Sequence, residues 1–272
     1  MVEPANILRK DIQAHFENDD VARLKVLCID SQGKLNPDQY QLIAFRMPQA
    51  DWLPVLRAAQ NAHPADFWTN FTLGVQLQIA SPFEAIGYYR AAILVHPESP
   101  NVYTNLGGAF NAAGMPTQAK GKCLKASELG ANNGKARSNL SSILAIEAMQ
   151  SPKPDYSNAI KMAQDAVDKN PDLADAHNNL AFALRREGNV DGAIQASRDA
   201  LDRTPDPASK KARRVNLVIN LPARADVNAA QNSAEDSEEA LAELQHLEVF
   251  STGSIQHDPH YLRARVYNLQ DA

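Results

Sequence analysis

The sequence predicts an all-α fold, a right-handed solenoid in which pairs of helices repeat along the chain. A leucine recurs at Leu73, Leu106, Leu140 and Leu180, with a longer step before the last. A small residue recurs at Ala85, Ala119, Ala159 and Ala193, and a closing residue at Pro97, Ala131, Pro171 and Pro205, each with a longer middle step. All the other steps are close to the period of about 34 residues that is typical of stacked helix pairs. Stacking is needed because one helix pair cannot bury its own apolar face.

The stretch from Ala174 to Pro205 is the most complete copy of this unit. Its first helix places Leu180 and Leu184 on one face, because residues four apart in a helix are neighbours. Gly188 then ends that helix. The second helix carries a stripe of small residues, at Ala193, Ser197 and Ala200. Small residues let another helix approach closely, and the whole unit resembles a tetratricopeptide (TPR) repeat.

The segment from His63 to Pro97 carries a more specific resemblance. HPADFWTNFTLG, followed by EAIGYYRAAILVHP, resembles the TPR segments found downstream of the catalytic domain in many large bacterial serine/threonine protein kinases. The resemblance covers residues 37–205 and concerns the repeat residues alone. Kinase chemistry needs a glycine-rich loop, a strand lysine, an H-R-D loop and a D-F-G triplet, and the sequence has none of them. Asp66-Phe67-Trp68 has tryptophan where that triplet needs glycine.

Five segments follow from the repeat pattern. Residues 1–36 are predicted as an N-terminal helical or poorly ordered segment, and residues 37–64 as a degenerate helix pair that caps the array. Four TPR repeats are predicted at residues 65–99, 100–133, 134–172 and 173–205. Extra residues in the third repeat, around Met149 to Pro154, are expected to form a loop between its helices. Residues 206–222 are predicted as a capping helix, and residues 223–272 as a linker and an acidic helical tail that is partly disordered.

The capping helix is expected to pack through Ala212, Val215 and Ile219, which share one helical face. A basic cluster in this helix and an acidic run in the tail carry opposite charge. The cluster contains Lys210, Lys211, Arg213 and Arg214, and the run contains Glu235, Asp236, Glu238 and Glu239. Either both are solvated, or they attract one another and fold the tail onto the array. His257 and His260 lack the further ligands of a structural zinc site, so neither a metal nor a cofactor is predicted.

The composition argues against several classes of protein. A net charge of -5 and a pI near 5.8 are atypical of nucleic-acid-binding proteins, which carry a basic excess. No run approaches about eighteen apolar residues, so no membrane insertion is predicted, and the N-terminus lacks the pattern of a signal peptide. Cys28 and Cys123 are too few for a disulfide framework, and Cys123 takes a helix-packing position of its repeat. These features predict a cytoplasmic protein.

The first helices of stacked repeats line a concave groove that binds extended partners. Side chains there that packing does not use are Asn101, Thr104, Gly108 and Asn111 in the second repeat, Lys135, Ser138, Ser142 and Ile146 in the third, and Asp175, Asn178, Phe182, Arg185 and Arg186 in the fourth. This lining is mostly polar and uncharged, with a basic end at Lys135, Arg185 and Arg186. Either these cations meet a carboxylate or acidic side chain of a bound peptide, or they are solvated surface charges.

Three asparagines, Asn105, Asn139 and Asn179, recur at one helix position. Chaperone-binding members of the TPR family use a carboxylate clamp of lysines and asparagines, but the full set of clamp lysines is missing from this sequence. The asparagines either contact a partner or hydrogen-bond one repeat to the next.

The sequence therefore predicts a non-catalytic scaffold that binds a protein or peptide partner in a concave groove. The alternative is a regulatory or substrate-docking part of a bacterial serine/threonine kinase system. An enzyme is not predicted, because no nucleophile, base and orienting group recur together outside the repeats. The pattern leaves the identity of the partner and the oligomeric state open.

Overall fold

The computed structural model describes residues 4–18, 20–31, 33–130, 133–227, 239, 240, 242 and 243. These residues form thirteen α-helices and one short 3-10 helix, and no strand occurs among them. The chain divides into two compact units, Met1–Gly130 and Ala131–Ala272. No helix in the described part of the chain is long and apolar enough to cross a membrane.

The first unit contains eight helices: α1 (Pro4–Glu17), α2 (Val21–Asp30), α3 (Pro37–Arg46), α4 (Trp52–Ala62), α5 (Phe67–Leu77), α6 (Pro82–Val95), α7 (Pro100–Ala112) and α8 (Pro116–Leu129). The second unit contains five: α9 (Gly134–Met149), α10 (Ser157–Lys169), α11 (Ala174–Glu187), α12 (Val190–Asp202) and α13 (Pro207–Val227). Of the extra residues of the third predicted repeat, Met149 is the last residue of α9, and residues 150–154 lie between α9 and α10.

Local sequence sets where these helices begin and end. Proline occupies the first turn of α3, α6, α7 and α8, where its missing N–H has no partner to lose. Asn36 and Gln39 form a reciprocal capping box at the start of α3. Gly188 ends α11 with a positive φ of 93°, a left-handed conformation that glycine adopts at low cost.

Small residues allow the helices of a pair to cross closely. An added Cβ on Gly74 of α5 would lie 2.5 Å from the ring of Tyr89 on α6. An added Cβ on Gly107 of α7 would lie 2.6 Å from the Sγ atom of Cys123 on α8. In the second unit, the buried hydroxyl of Ser141 on α9 donates a hydrogen bond of 2.7 Å to the backbone oxygen of Ala159 on α10. Each crossing therefore depends on a residue without a large side chain.

Helix α13 packs through two of the three predicted residues and through further residues beside them. Ala212 is exposed, and Val215 and Ile219 are half-buried. The side chains of α13 that join the core with Ile194 and Ala240 are Leu217, Val218 and Leu221. Val215 and Ile219 pack against this core, as predicted, but the side chains that are buried most deeply lie beside them on the helix. The apolar pattern of one helix does not show how its neighbour is rotated against it.

The helix also extends further than predicted. It continues through Pro222 to Val227, where the sequence predicts a linker from residue 223 onward. Proline removes one backbone hydrogen bond of a helix, but a helix can continue through it at that cost. Within the acidic tail helix predicted after Glu235, residues 239, 240, 242 and 243 are helical. The predicted linker from residue 228, the partial disorder of the tail and the histidines at 257 and 260 lie outside the described residues.

Candidate functional site

A cavity of about 210 Å³ opens between α9, α11 and α13 in the second unit. Its lining is mixed, with amide, hydroxyl, guanidinium and apolar groups: Ser142, Ile146, Asn178, Asn179, Ala181, Phe182, Arg185, Asn216, Ile219 and Asn220. All of them lie on the three helices, and the sequence predicts more than half of them as groove residues or as a recurring asparagine.

Helical spacing explains why these side chains meet. Asn178, Phe182 and Arg185 are separated by four and three residues and share one face of α11. Ser142 and Ile146 are four residues apart on α9, and Asn216 and Asn220 are four residues apart on α13, so each pair also shares one face of its helix. Three helices that each present such a face to their neighbours form the walls of the cavity.

Hydrogen bonds between amides hold the three helices in register. The Nδ2 atom of Asn179 donates to the backbone oxygen of Ser138 at 2.9 Å and to its hydroxyl at 3.0 Å. Asn216 donates to the Oδ1 atom of Asn178 at 2.6 Å. Of the three recurring asparagines, Asn179 thus links successive first helices, which is one of the two roles that the sequence allows.

Asn220 brings an unsatisfied polar atom to the cavity. Its Nδ2 atom donates a hydrogen bond of 2.8 Å to Ser197 on α12. Its Oδ1 atom is buried and has no hydrogen-bond partner among the described residues. A buried amide atom without a partner costs free energy, about 1 to 3 kcal/mol in mutational studies. A ligand that reaches Asn220 can recover this cost.

Two guanidinium groups lie beside one aromatic ring at the end of α11. The Cζ atom of Arg185 is 6.0 Å from the centre of the Phe182 ring, and that of Arg186 is 5.3 Å from it. Phe182 and Arg185 are half-buried, whereas Arg186 is exposed. Attraction to the ring places both cations beside Phe182, and Arg185 also lines the cavity.

Lys135 does not belong to this basic group, contrary to the sequence prediction. Helices α9 and α11 run in the same direction, since Ser138 contacts Asn179 near their starts and Ile146 lies with Arg185 near their ends. Lys135 is in the first turn of α9, so it lies about 16 Å along the helix from Ile146 at about 1.5 Å per residue. The predicted basic end is therefore formed by Arg185 and Arg186 without Lys135.

Thr104 and Ser138 are interior residues rather than groove residues. Their side chains are only 2 % and 1 % exposed. Thr104 donates a hydrogen bond of 2.8 Å to the backbone oxygen of Pro100, one turn earlier in α7. Ser138 is covered by Asn179 of the next first helix. Their burial removes both from the set of accessible binding residues.

The other predicted residues divide between the units. Asn101 is exposed and Asn111 is half-buried, and both lie on α7 of the first unit. Asp175 pairs with Arg213 of α13, so this carboxylate is engaged within the second unit. In the described part of the chain, no three His, Cys, Asp or Glu side chains lie together in a way that suits a metal ion.

Sequence reasoning missed the contribution of α13. Asn216, Ile219 and Asn220 form one wall of the cavity, although the sequence pattern indicates only a capping helix. The repeat pattern gave no clear signal for this wall, because the step of 38 residues from Asn178 to Asn216 is longer than the main period. The first unit also exposes Trp68, whose side chain is 57 % accessible. The repeat pattern assigns this residue no role.

Comparison with known proteins identifies the repeat. Residues 155–208 match the family model described as tetratricopeptide repeat. No curated protein sequence matches the chain. A thermophilic TPR protein of Thermus thermophilus is similar in structure, with 18% identity and a TM-score of 0.57, over 76% of this chain and 100% of that one. PilF of Pseudomonas aeruginosa is similar with 19% identity and a TM-score of 0.57, over 81% of this chain and 94% of that one.

A longer structure, the APC/C hetero-tetramer Cut9–Hcn1, is similar with 15% identity and a TM-score of 0.66, over 97% of this chain and 46% of that one. At this level of identity the likenesses establish the fold alone. The resemblance to kinase-associated TPR segments stays a prediction. The all-α prediction is confirmed: residues 155–208 match the tetratricopeptide repeat family, and the chain has the fold of TPR proteins.

Proposed function

We propose that this chain is a non-catalytic interaction scaffold whose second unit binds a peptide segment of a partner protein. The observation that supports the proposal is the cavity between α9, α11 and α13, in which apolar walls, amide groups and the guanidinium group of Arg185 converge. The guanidinium group of Arg186 lies beside the same Phe182 ring. An extended peptide needs apolar surface for its side chains, and it needs hydrogen-bond donors and acceptors for its main chain.

The size of the cavity limits what enters it. Pockets for drug-sized ligands occupy roughly 300 to 1,000 Å³. A volume of about 210 Å³ suits one side chain better than a whole small molecule. The remainder of a bound peptide would lie along the exposed parts of α11 and α13, where Arg186 is accessible.

The charge at the edge of the cavity favours an acidic partner. Arg185 and Arg186 share the Phe182 ring, and a guanidinium group binds a carboxylate through two parallel hydrogen bonds. The carboxylate of Asp175 is already paired with Arg213. We therefore infer a peptide with an acidic residue beside the side chain that enters the cavity.

An immobilised peptide array tests this proposal. The wild-type chain is expected to capture peptides enriched in Asp or Glu, and the Arg185→Ala/Arg186→Ala variant to bind them about tenfold or more weakly, since charge-assisted hydrogen bonds contribute about 1.5 to 3 kcal/mol. Lys135→Ala is the matched control, because it removes a cation at the other end of α9, and its binding should stay within about twofold. Equal capture by both variants would contradict the role of the arginines. Capture of no peptide by the wild type would contradict peptide binding itself.

Several finer expectations belong to the same proposal. The division into four repeats at residues 65–99, 100–133, 134–172 and 173–205 is supported by the helix bounds. A cytoplasmic location is supported by two buried, unpaired thiols, Cys28 and Cys123. A role in a bacterial kinase system rests on the sequence resemblance and stays a prediction.

A further inference from the structure

A second recessed surface, of about 520 Å³, lies in the first unit where α5 begins. We name it the Trp68 pocket, and its lining consists of Phe67, Trp68, His96, Pro97, Glu98 and Ser99. From this arrangement we propose that the Trp68 pocket binds the guanidinium group of an arginine side chain from a partner protein. The site differs from the cavity of the second unit in position and in charge, so neither proposal depends on the other.

An accessible tryptophan held by other rings is the first observation. Trp68 packs edge-on against Phe67 at 5.0 Å and against Phe71 at 6.1 Å between ring centres. Phe67 in turn contacts the ring of His96 edge-on at 4.5 Å. These contacts fix the indole while more than half of it stays in contact with solvent. Tryptophan offers the strongest cation–π attraction of the aromatic residues, and preorganisation lowers the entropic cost of using it.

A carboxylate without a partner is the second observation. Glu98 is exposed and makes no ion pair with any described residue. No lysine or arginine lines the pocket. A cation that enters it meets both the indole of Trp68 and the carboxylate of Glu98, and no lysine or arginine of the lining competes.

The helix dipoles oppose a cation here, and the balance of charge decides the outcome. Helices α5 and α7 both begin at the pocket, and each N-terminus carries about half a positive charge. Asp66 neutralises the start of α5, since its carboxylate accepts a hydrogen bond of 2.7 Å from the backbone N–H of Thr69. Glu98 adds a second negative charge one residue before the cap of α7. Two carboxylates carry one full negative charge each and exceed the two half charges of the helix ends, so the local balance of charge favours a cation.

The geometry of the groups favours arginine over other cations. A guanidinium group is planar, so it stacks on an indole while its edge donates hydrogen bonds to a carboxylate. An ammonium group is a compact and strongly hydrated charge that stacks less well. A neutral urea group of the same shape, as in citrulline, keeps the stacking surface and loses the charge. Citrulline is therefore the informative comparison.

Nuclear magnetic resonance of the indole N–H groups tests the proposal on the full chain. The protein has two tryptophans, and Trp52 provides an internal control because its indole N–H donates to the backbone oxygen of Met47 at 2.9 Å. N-acetyl-arginine amide is expected to shift the Trp68 signal in a saturable way and to leave the Trp52 signal in place. N-acetyl-citrulline amide should bind about tenfold more weakly.

Two variants complete the test. Glu98→Gln should weaken the response to the arginine probe by about tenfold, the effect of losing one charge-assisted hydrogen bond. Glu128→Gln removes a carboxylate of α8 that pairs with Lys125, and it should leave the response unchanged. Equal responses to arginine and citrulline, an unchanged response in Glu98→Gln, a shift of both indoles, or no saturable shift would each overturn the proposal.

Discussion

Asn216 on α13 donates a hydrogen bond of 2.6 Å to the Oδ1 atom of Asn178 on α11, 38 residues earlier in the chain. Arg213 pairs with Asp175 at the same separation of 38 residues. Two contacts with one separation mean that α13 runs along α11 in the same direction. Helix α13 thus takes the place that the first helix of a further repeat would take, and it completes the cavity of the second unit.

The docking of α13 depends on its buried leucines. We expect Leu217→Ala to lower the free energy of unfolding by about 2 to 5 kcal/mol, because it leaves a cavity between α12 and α13. Leu94→Ala is the matched control, since Leu94 is 86 % exposed, and it should change the free energy by less than about 0.5 kcal/mol. Urea unfolding followed by circular dichroism measures both. Equal effects of the two substitutions would contradict the packing of α13.

The crossing of α5 and α6 should not tolerate a methyl group. Gly74→Ala places a Cβ atom 2.5 Å from the buried ring of Tyr89, whose hydroxyl donates to Gln78. We expect a loss of about 1 to 3 kcal/mol in the free energy of unfolding. Gly87→Ala on α6 meets no atom within 4 Å and should stabilise the helix by about 0.5 to 1 kcal/mol. A stable Gly74→Ala protein would show that the two helices cross at a greater distance.

Buried thiols should be unreactive in the folded protein. Burial raises the pKa of Cys28 and of Cys123 to about 12. At about pH 8 only roughly one thiol in ten thousand is then ionised, so a disulfide reagent should modify them only as fast as the structure opens. Both thiols should react at once after denaturation. Rapid modification of the folded chain would contradict their burial.

The same pKa shifts make stability depend on pH at the alkaline end. Thiols of the unfolded chain ionise near about pH 8.5, whereas the folded thiols keep their protons to about pH 12. Above about pH 8.5 the unfolded chain therefore binds fewer protons, and the free energy of unfolding falls as pH rises. Urea unfolding at increasing pH should show this fall, and a Cys28→Ala/Cys123→Ala variant should show less of it.

Two ion pairs should hold the tail segment that contains Glu239 and Glu243 against α12 and α13. Arg198 pairs with Glu239, and Arg214 pairs with Glu243 at 2.8 Å. Since salt screens partly exposed charges, hydrogen exchange of peptides covering this segment should speed up as the salt concentration rises. Glu239→Gln/Glu243→Gln should exchange rapidly at low salt and respond little to added salt. Peptides from α5 provide the control. An exchange rate of the segment that changes neither with added salt nor with the two substitutions would contradict the electrostatic contact.

The period of the sequence predicts the helix pairs well but not the environment of single side chains. Periodicity reports which residues of a helix face inward, and the small residues that it predicts at a helix crossing, Ala193, Ser197 and Ala200, are all buried. It does not report which neighbour covers a residue. Ser138 is buried because Asn179, 41 residues later, hydrogen-bonds to it, and Ala212 is exposed because α12 covers Leu217 instead.

The candidate site was predictable only in part, for a similar reason. Phe182, Arg185 and Arg186 follow from their positions on the first helix of the best-preserved repeat. The grouping of Lys135 with them is wrong, because a set of groove residues does not say which end of each helix they occupy. The wall formed by Asn216 and Asn220 was missed because the step from Asn178 to Asn216 is longer than the main period.

The bond between Asn179 and Ser138 also has a consequence for protein engineering. Substitutions at either residue would alter the spacing of α9 and α11 and so change every contact of the cavity at once. Ile146, Phe182 and Arg185 line the cavity and take no part in this bond. A library that varies these three positions and keeps the asparagine–serine pair would change the shape and charge of the cavity while leaving the link between α9 and α11 in place.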